Sequence, residues 1–135
     1  MLSNPLTNDL LCSVDYRTTS KLVRVPEGGI VPGMAFCFEE DSAESDALTV
    51  ASTAAELQYV YGVALESVSY TGEGQTAVVL LLISGEIDIN KFISVNDPDL
   101  DVMNNMLVNY YLGGRGIYLV DGRDGAESSY GAKVD

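Results

Sequence analysis

The chain contains no histidine and no tryptophan, only two cysteines and four prolines, and seven basic residues against twenty acidic ones. Each shortage excludes something. Without histidine the usual general base and the commonest metal ligand are gone, and a zinc site would need ligands that the sequence does not offer. Cys12 and Cys37 are too few for a disulfide scaffold, and neither belongs to a CxxC pair. Cys37, inside "MAFCFEE", reads as a small buried apolar side chain. With no tryptophan and aromatics that are mostly tyrosine, a sugar-stacking cleft has little support.

The scarcity of positive charge is the sharpest of these signals. The formal net charge is −13, and no basic residue occurs between Arg24 and Lys91. Such a surface repels phosphate backbones and disfavours anionic membranes, so neither nucleic acid nor membrane is an expected partner. The same acidity also serves solubility on its own. The apolar run Ala77–Ile83 is bounded at once by Ser84, Gly85 and Glu86, too short to cross a bilayer. The N-terminus, "MLSNPLTNDLLC", lacks a basic n-region and carries Pro5 and Asp9, which argues against a secretion signal. The expectation is a soluble protein made in the cytoplasm.

What is present is an ordinary globular composition, 47% hydrophobic and 20% charged over 135 residues, enough for one domain with its own core. Residues 1–10 read as a flexible arm, 11–120 as the domain and 121–135 as a polar tail. "LLCSVDY" and "KLVRV" are candidate short strands. Pro26, Gly28, Gly29, Pro32 and Gly33 punctuate "PEGGIVPGMAFCF" into turn, strand and turn. "EEDSAESD" is an acidic loop, "LTV" an edge strand and "STAAEL" a loop or one helical turn.

The stretch from Tyr61 to Ile89 divides into a hairpin around "TGEG". In the first strand the apolar phase moves from the odd positions Tyr59, Tyr61, Val63 and Leu65 to Val68 and Tyr70, which predicts a bulge or twist near Glu66–Ser67. In the return strand Val79, Leu81, Ile83, Ile87 and Ile89 keep one face apolar. The other face runs Val78, Leu80, Leu82, then Ser84, Glu86, Asp88, so the strand is expected to start buried on both faces and end with one face wet. A helix is predicted near 98–112, with Asp97 as N-cap, Pro98 at its first position and Gly113 and Gly114 as its stop. Leu100, Met103, Leu107 and Tyr110, with Met106 alongside, form its apolar stripe. "GIYLV" is the last strand. The fold class is therefore mainly β with one short α-helix (α+β), a small β-barrel or β-tulip-like domain.

Candidate chemistry is sparse. "TTSK", Thr18 to Lys21, has serine–lysine spacing but lies in an edge strand without a glycine-rich surround. Asp97, Asp99 and Asp101 alternate like calcium ligands, yet Val102 and Val108 occupy the positions that need glycine and glutamate, and helix capping accounts for the acids. Asp121, Asp124 and Glu127 suit a solvated turn better than a cation site. "YTGEGQ" lacks the Lys-Ser/Thr of a phosphate loop. A carboxylate pair such as Glu66 and Glu86 stays open as a hydrolase reading. The expectation is no enzyme, no cofactor and no metal, which leaves a structural or binding role.

Several elements in order resemble the head decoration proteins of tailed bacteriophages, the lambda-like capsid-stabilising family. They are the punctuated "GGIVPGMAF", the strand "YGVALESV" at Tyr61–Val68, the Gly85-Glu86-Ile87 element, a short helix, and "RGIY" at Arg115–Tyr118. The resemblance spans roughly Gly28 to Val120, and its specificity lies in the order of weak signals. It implies a β-rich domain that forms homotrimers on the outer surface of the expanded head, bound to major capsid protein and stabilising the shell against internal DNA pressure. It also implies an N-terminal arm that orders against the capsid, with Leu2, Pro5, Leu6, Leu10 and Leu11 as apolar anchors. Leu10 and Leu11 suit the start of the first core strand equally well. Met34, Tyr59 and Tyr61 are candidates for the trimer interface. The acidic tail after Val120 departs from the family pattern. The alternative is a receptor- or glycan-binding module of a phage fibre or surface adhesin.

Overall fold

A computed structural model describes residues 10–12, 15–38, 47–93 and 102–120. The chain is mainly β: strands β1 (Arg17–Arg24), β2 (Ala35–Cys37), β3 (Thr49–Val50), β4 (Val60–Ala64), β5 (Thr76–Asp88) and β6 (Ile117–Val120), with one helix, α1 (Val102–Arg115). Short 3-10 turns occupy Ala55–Tyr59 and Ile89–Lys91. The antiparallel order is β1-β5-β4-β2-β3, and β6 runs parallel to the second half of β5. A parallel pair needs a crossover, and α1 lies on the connection that supplies it.

The long strand β5 organises the molecule. Its first half is flanked by β1, from Arg24↔Thr76 to Thr18↔Leu82, and by β4 at Val63↔Leu82 and Ala64↔Leu81. Its second half is flanked by β6 and by the segment around Leu11, which bridges Ile87. The register with β1 jumps from Thr18↔Leu82 to Arg17↔Ser84, leaving Ile83 as an extra residue in β5. A one-residue slip exchanges the faces of a strand. Leu82 and Ile87, of opposite parity in sequence, consequently share one core.

Two apolar clusters cover the two faces of the sheet. One gathers Val23, Val25, Ile30, Phe36, Leu48, Ala64, Val79 and Leu81. The other joins Leu57, Val63, Leu65, Leu82 and Ile87 to Phe92, Val108, Leu112 and Ile117, and so ties α1 to the strands. Burial on both faces explains why β2 and the middle of β5 read as unbroken apolar runs. The outer edges of β1 and β3 meet through a single bridge, Val23↔Leu48. There the Arg24 N–H donates to the Leu48 carbonyl and the Leu48 N–H to the Leu22 carbonyl, at 2.8 and 2.9 Å. β1 and β3 are not otherwise paired, so the sheet curls toward a barrel without a closed ladder.

Several expectations are corrected. The phase change assigned to Glu66–Ser67 is not a bulge: the chain leaves β5 after Leu65 and crosses to pair Val68 with Ile30. The actual irregularities lie at Ile83 and at Tyr61, where β2 pairs Phe36↔Gly62 and then Cys37↔Val60. The wet end of β5 is also reversed. Val78 is 67% exposed at its start, whereas Asp88 is buried at its end and Ser84 and Glu86 are half-buried. Val78 pairs across to Leu22, itself exposed, beyond the cover that α1 gives to Leu82.

The helix runs through Gly113 and Gly114 rather than stopping there. It ends at Gly116, whose φ of +97° is the left-handed conformation that a helix terminus favours in glycine, and whose N–H donates to the Gly113 carbonyl at 3.0 Å. Its buried stripe is Val108 and Leu112, flanked by Leu107 and Tyr111, while Met106 and Tyr110 face solvent. Packing against the Ala55–Tyr59 turn and β6 selected that face. Asp97, Pro98 and Leu100 lie outside the described residues, and Met103 is described only as helical backbone.

Candidate functional site

The site is built around an irregularity in β4. Opposite Phe36 and Cys37 the strand carries Val60, Tyr61 and Gly62, so Tyr61 is the inserted residue. A bulge re-aims the side chain it inserts. Val60 and Val63 enter one core, and the Tyr61 ring is turned to the rim of the other, half-buried. There Phe38 meets it edge-on, with ring centroids 5.5 Å apart and planes at 83°. Lys21 Nζ lies 5.1 Å and Arg115 Cζ 4.6 Å from the ring centroid. Two of the seven basic residues of the chain thus converge on one tyrosine, held by its quadrupole.

Arg115 also repairs the sheet. Leu65 donates its N–H to β5 through the Leu80 carbonyl, while the intervening Ala64 donates the other way, to Met34. By that alternation the Tyr61 carbonyl faces the β5 side. At Tyr61, however, β4 has already parted from β5, whose second half is occupied by β6. The Arg115 Nε–H donates to the Tyr61 carbonyl at 2.9 Å, taking the place of a strand.

The parting of β4 and β6 opens a cleft of about 600 Å³, lined by Gln58, Asn109, Tyr110, Gly113, Arg115 and Tyr118 among others. Tyr110 is 74% and Tyr118 55% exposed, and Phe38 and Tyr59 are exposed as well. Arg115, in the last turn of α1, complements the helix dipole. No carboxylate among the described residues pairs with Lys21 or Arg115; their described contacts are the Tyr61 ring and carbonyl. Aromatic side chains and arginine are enriched at protein interfaces.

The sequence-predicted residues are distributed unevenly around this site. Leu2, Pro5 and Leu6 lie outside the described residues. Leu10 is 2% exposed and its carbonyl accepts from the Asp88 N–H at 2.8 Å; Leu11 bridges Ile87. Both belong to the folded domain, so in this conformation Leu10 offers no free anchor. Met34 is half-buried against the sheet interior, its Sδ accepting from the Val31 N–H at 3.3 Å. Tyr59 is exposed and Tyr61 is the centre of the cation pair.

The catalytic alternatives do not assemble. Ser20 and Lys21 are consecutive in β1 and so point to opposite faces. Glu66 Oε1 accepts from the Leu80 N–H at 3.2 Å, replacing a main-chain carbonyl where β4 leaves the ladder. Glu86 sits six residues further along β5, roughly 20 Å at strand rise, beyond the span of a glycosidase pair. Cys12 and Cys37 are thiols not joined in a disulfide, half-buried and buried.

Lys21, Phe38, Tyr110, Arg115 and Tyr118 were missed as site residues. The available signal was the rarity of cations: a lone arginine beside a glycine pair and tyrosines stands out in so acidic a chain. No family model, curated protein or solved structure matches the chain.

Proposed function

We propose that the chain is a non-catalytic structural protein that decorates the outer surface of an expanded bacteriophage head. It acts as a homotrimer that binds major capsid protein and holds neighbouring subunits together. The observation that carries this reading is the exposed pair Tyr110 and Tyr118 in one cleft with Arg115, with Phe38 and Tyr59 also exposed, on a domain with two buried cores. Exposed aromatic side chains grouped with arginine are what a protein interface buries. The order of sequence elements resembling the decoration family supplies the capsid as partner. Each copy need contribute only modest affinity, because multivalent contact across a lattice multiplies weak contacts.

The test is sedimentation of the purified protein with expanded shells lacking it, alongside sedimentation equilibrium of the protein alone. The expected results are trimers and saturable co-sedimentation; a monomer that stays in the supernatant overturns the reading. The second reading, a receptor- or glycan-binding module, draws on the tyrosines, Asn109 and Gln58 of the cleft. It requires glycan binding by the isolated chain together with indifference to shells.

A further inference from the structure

We infer that the cleft between β4 and β6 is a docking site for an acidic, aromatic-bearing extended segment of a different protein, with Arg115 as the carboxylate anchor. Charge is the first argument. The chain carries −13 overall, yet Arg115 lines the cleft, and neither it nor Lys21, the second cation on the Tyr61 ring, has a carboxylate partner among the described residues. Two cations held within reach of one ring repel each other, and a carboxylate on Arg115 relieves that repulsion. The Arg115 contact to Tyr61 uses Nε. Its two terminal nitrogens remain for a bidentate pair with a carboxylate, a geometry that lysine cannot offer.

Shape is the second argument. Among the described residues β6 pairs only with β5, so no described strand lies on its other edge. The Gly116 carbonyl accepts from the Gly85 N–H, so by alternation Ile117 and Leu119 aim their backbone groups at the open edge. An extended segment can add to such an edge while side-chain pockets beside it supply selectivity. Tyr110 and Tyr118 provide the rings for an aromatic or apolar neighbour of the carboxylate.

The inference stands apart from the shell reading: the cleft can fail to bind acidic peptide while the chain still sediments with shells, and the reverse. The probe is a fluorescein-labelled hexapeptide, Glu-Tyr-Glu-Asp-Phe-Glu, titrated with the full chain by fluorescence anisotropy. Its neutral counterpart has every acid replaced by its amide. The acidic peptide is expected to bind about tenfold more tightly than the neutral one, and R115Q to remove about tenfold of that affinity. Raising ionic strength from about 0.01 M to about 0.15 M shortens the screening length from about 30 Å to about 8 Å and weakens the acidic peptide alone.

Because Arg115 also holds Tyr61, Y118A is the companion variant. Its side chain is largely exposed, so it should weaken the peptide severalfold while leaving the thermal midpoint in place. Equal affinity for the neutral peptide, binding unchanged in both variants, or no saturable binding overturns the inference. So does self-association of the chain that R115Q abolishes, or a sialylated glycan that competes the cleft while the peptide does not bind.

Discussion

Removing Arg115 separates two interactions that share one residue, because the ring of Tyr61 and its main-chain carbonyl respond to different substitutions. In R115A both are lost: the cation over the ring at 4.6 Å and the hydrogen bond to the carbonyl at 2.9 Å. An exposed cation–π contact contributes about 0.5–1 kcal/mol. A hydrogen bond at an exposed site adds about 0.5–1.5 kcal/mol, and the charge at the helix C-terminus about 0.3–1 kcal/mol. R115A is therefore expected to cost about 1.3–3.5 kcal/mol in urea unfolding, with an unchanged denaturant slope. In Y61A the carbonyl remains, so the hydrogen bond persists and only the ring contact goes. The coupling energy from the cycle R115A, Y61A and the double variant should thus be about 0.5–1 kcal/mol, less than the cost of R115A alone. R115K retains the charge and loses the Nε geometry, and should fall between wild type and R115A. A coupling indistinguishable from zero would refute the stacked arrangement. A coupling equal to the whole R115A cost would refute the separate role of the carbonyl.

Three further outcomes follow from the packing. In G33A a Cβ would meet the Lys91 carbonyl oxygen, at a backbone φ of +104°, so a loss above about 3 kcal/mol is expected, with G72A, in open space, as a near-neutral control in thermal melts. L112A empties a fully buried position between helix and sheet and should cost about 2–5 kcal/mol by denaturant titration, with no recovery from added salt. E66A removes the acceptor for the Leu80 N–H and should cost about 1 kcal/mol and speed hydrogen exchange at that amide, whereas E66Q, which keeps an acceptor oxygen, should do neither. Unchanged exchange in E66A would mean that the Leu80 amide is protected by other means.

Much of the fold was legible because local chemistry and tertiary structure agree. The strands around "KLVRV", "MAFC", "LTV", "YGVA", "TAVVLLLISGEID" and "GIYLV" all form, as does the turn after Thr53, because period-two patterns and Gly/Pro punctuation act over a few residues. Errors arose where a register decided the outcome. Ile83 and Tyr61 are ordinary β-formers, and nothing about them marks an inserted residue; the misfit exists only against their partners Arg17–Thr18 and Phe36–Cys37. The helix face was misjudged for the same reason. Leu107 and Tyr110 carry as helical a spacing as Val108 and Leu112, and only packing against the Ala55–Tyr59 turn and β6 chose between them.

The sequence by itself determined a β-rich domain with one helix and an acidic, histidine-free composition, because composition and short-range periodicity act without reference to distant partners. Tertiary structure decided the site. Lys21, Phe38, Tyr61 and Arg115 come from β1, the end of β2, β4 and the end of α1, up to 94 positions apart by the numbering Lys21 to Arg115. They meet because a bulge turned Tyr61 outward where β4 parts from β5, and a helix terminus delivered a guanidinium to the carbonyl left open there. A carbonyl deprived of its strand must find another donor, and that requirement is visible only once the strands are in place.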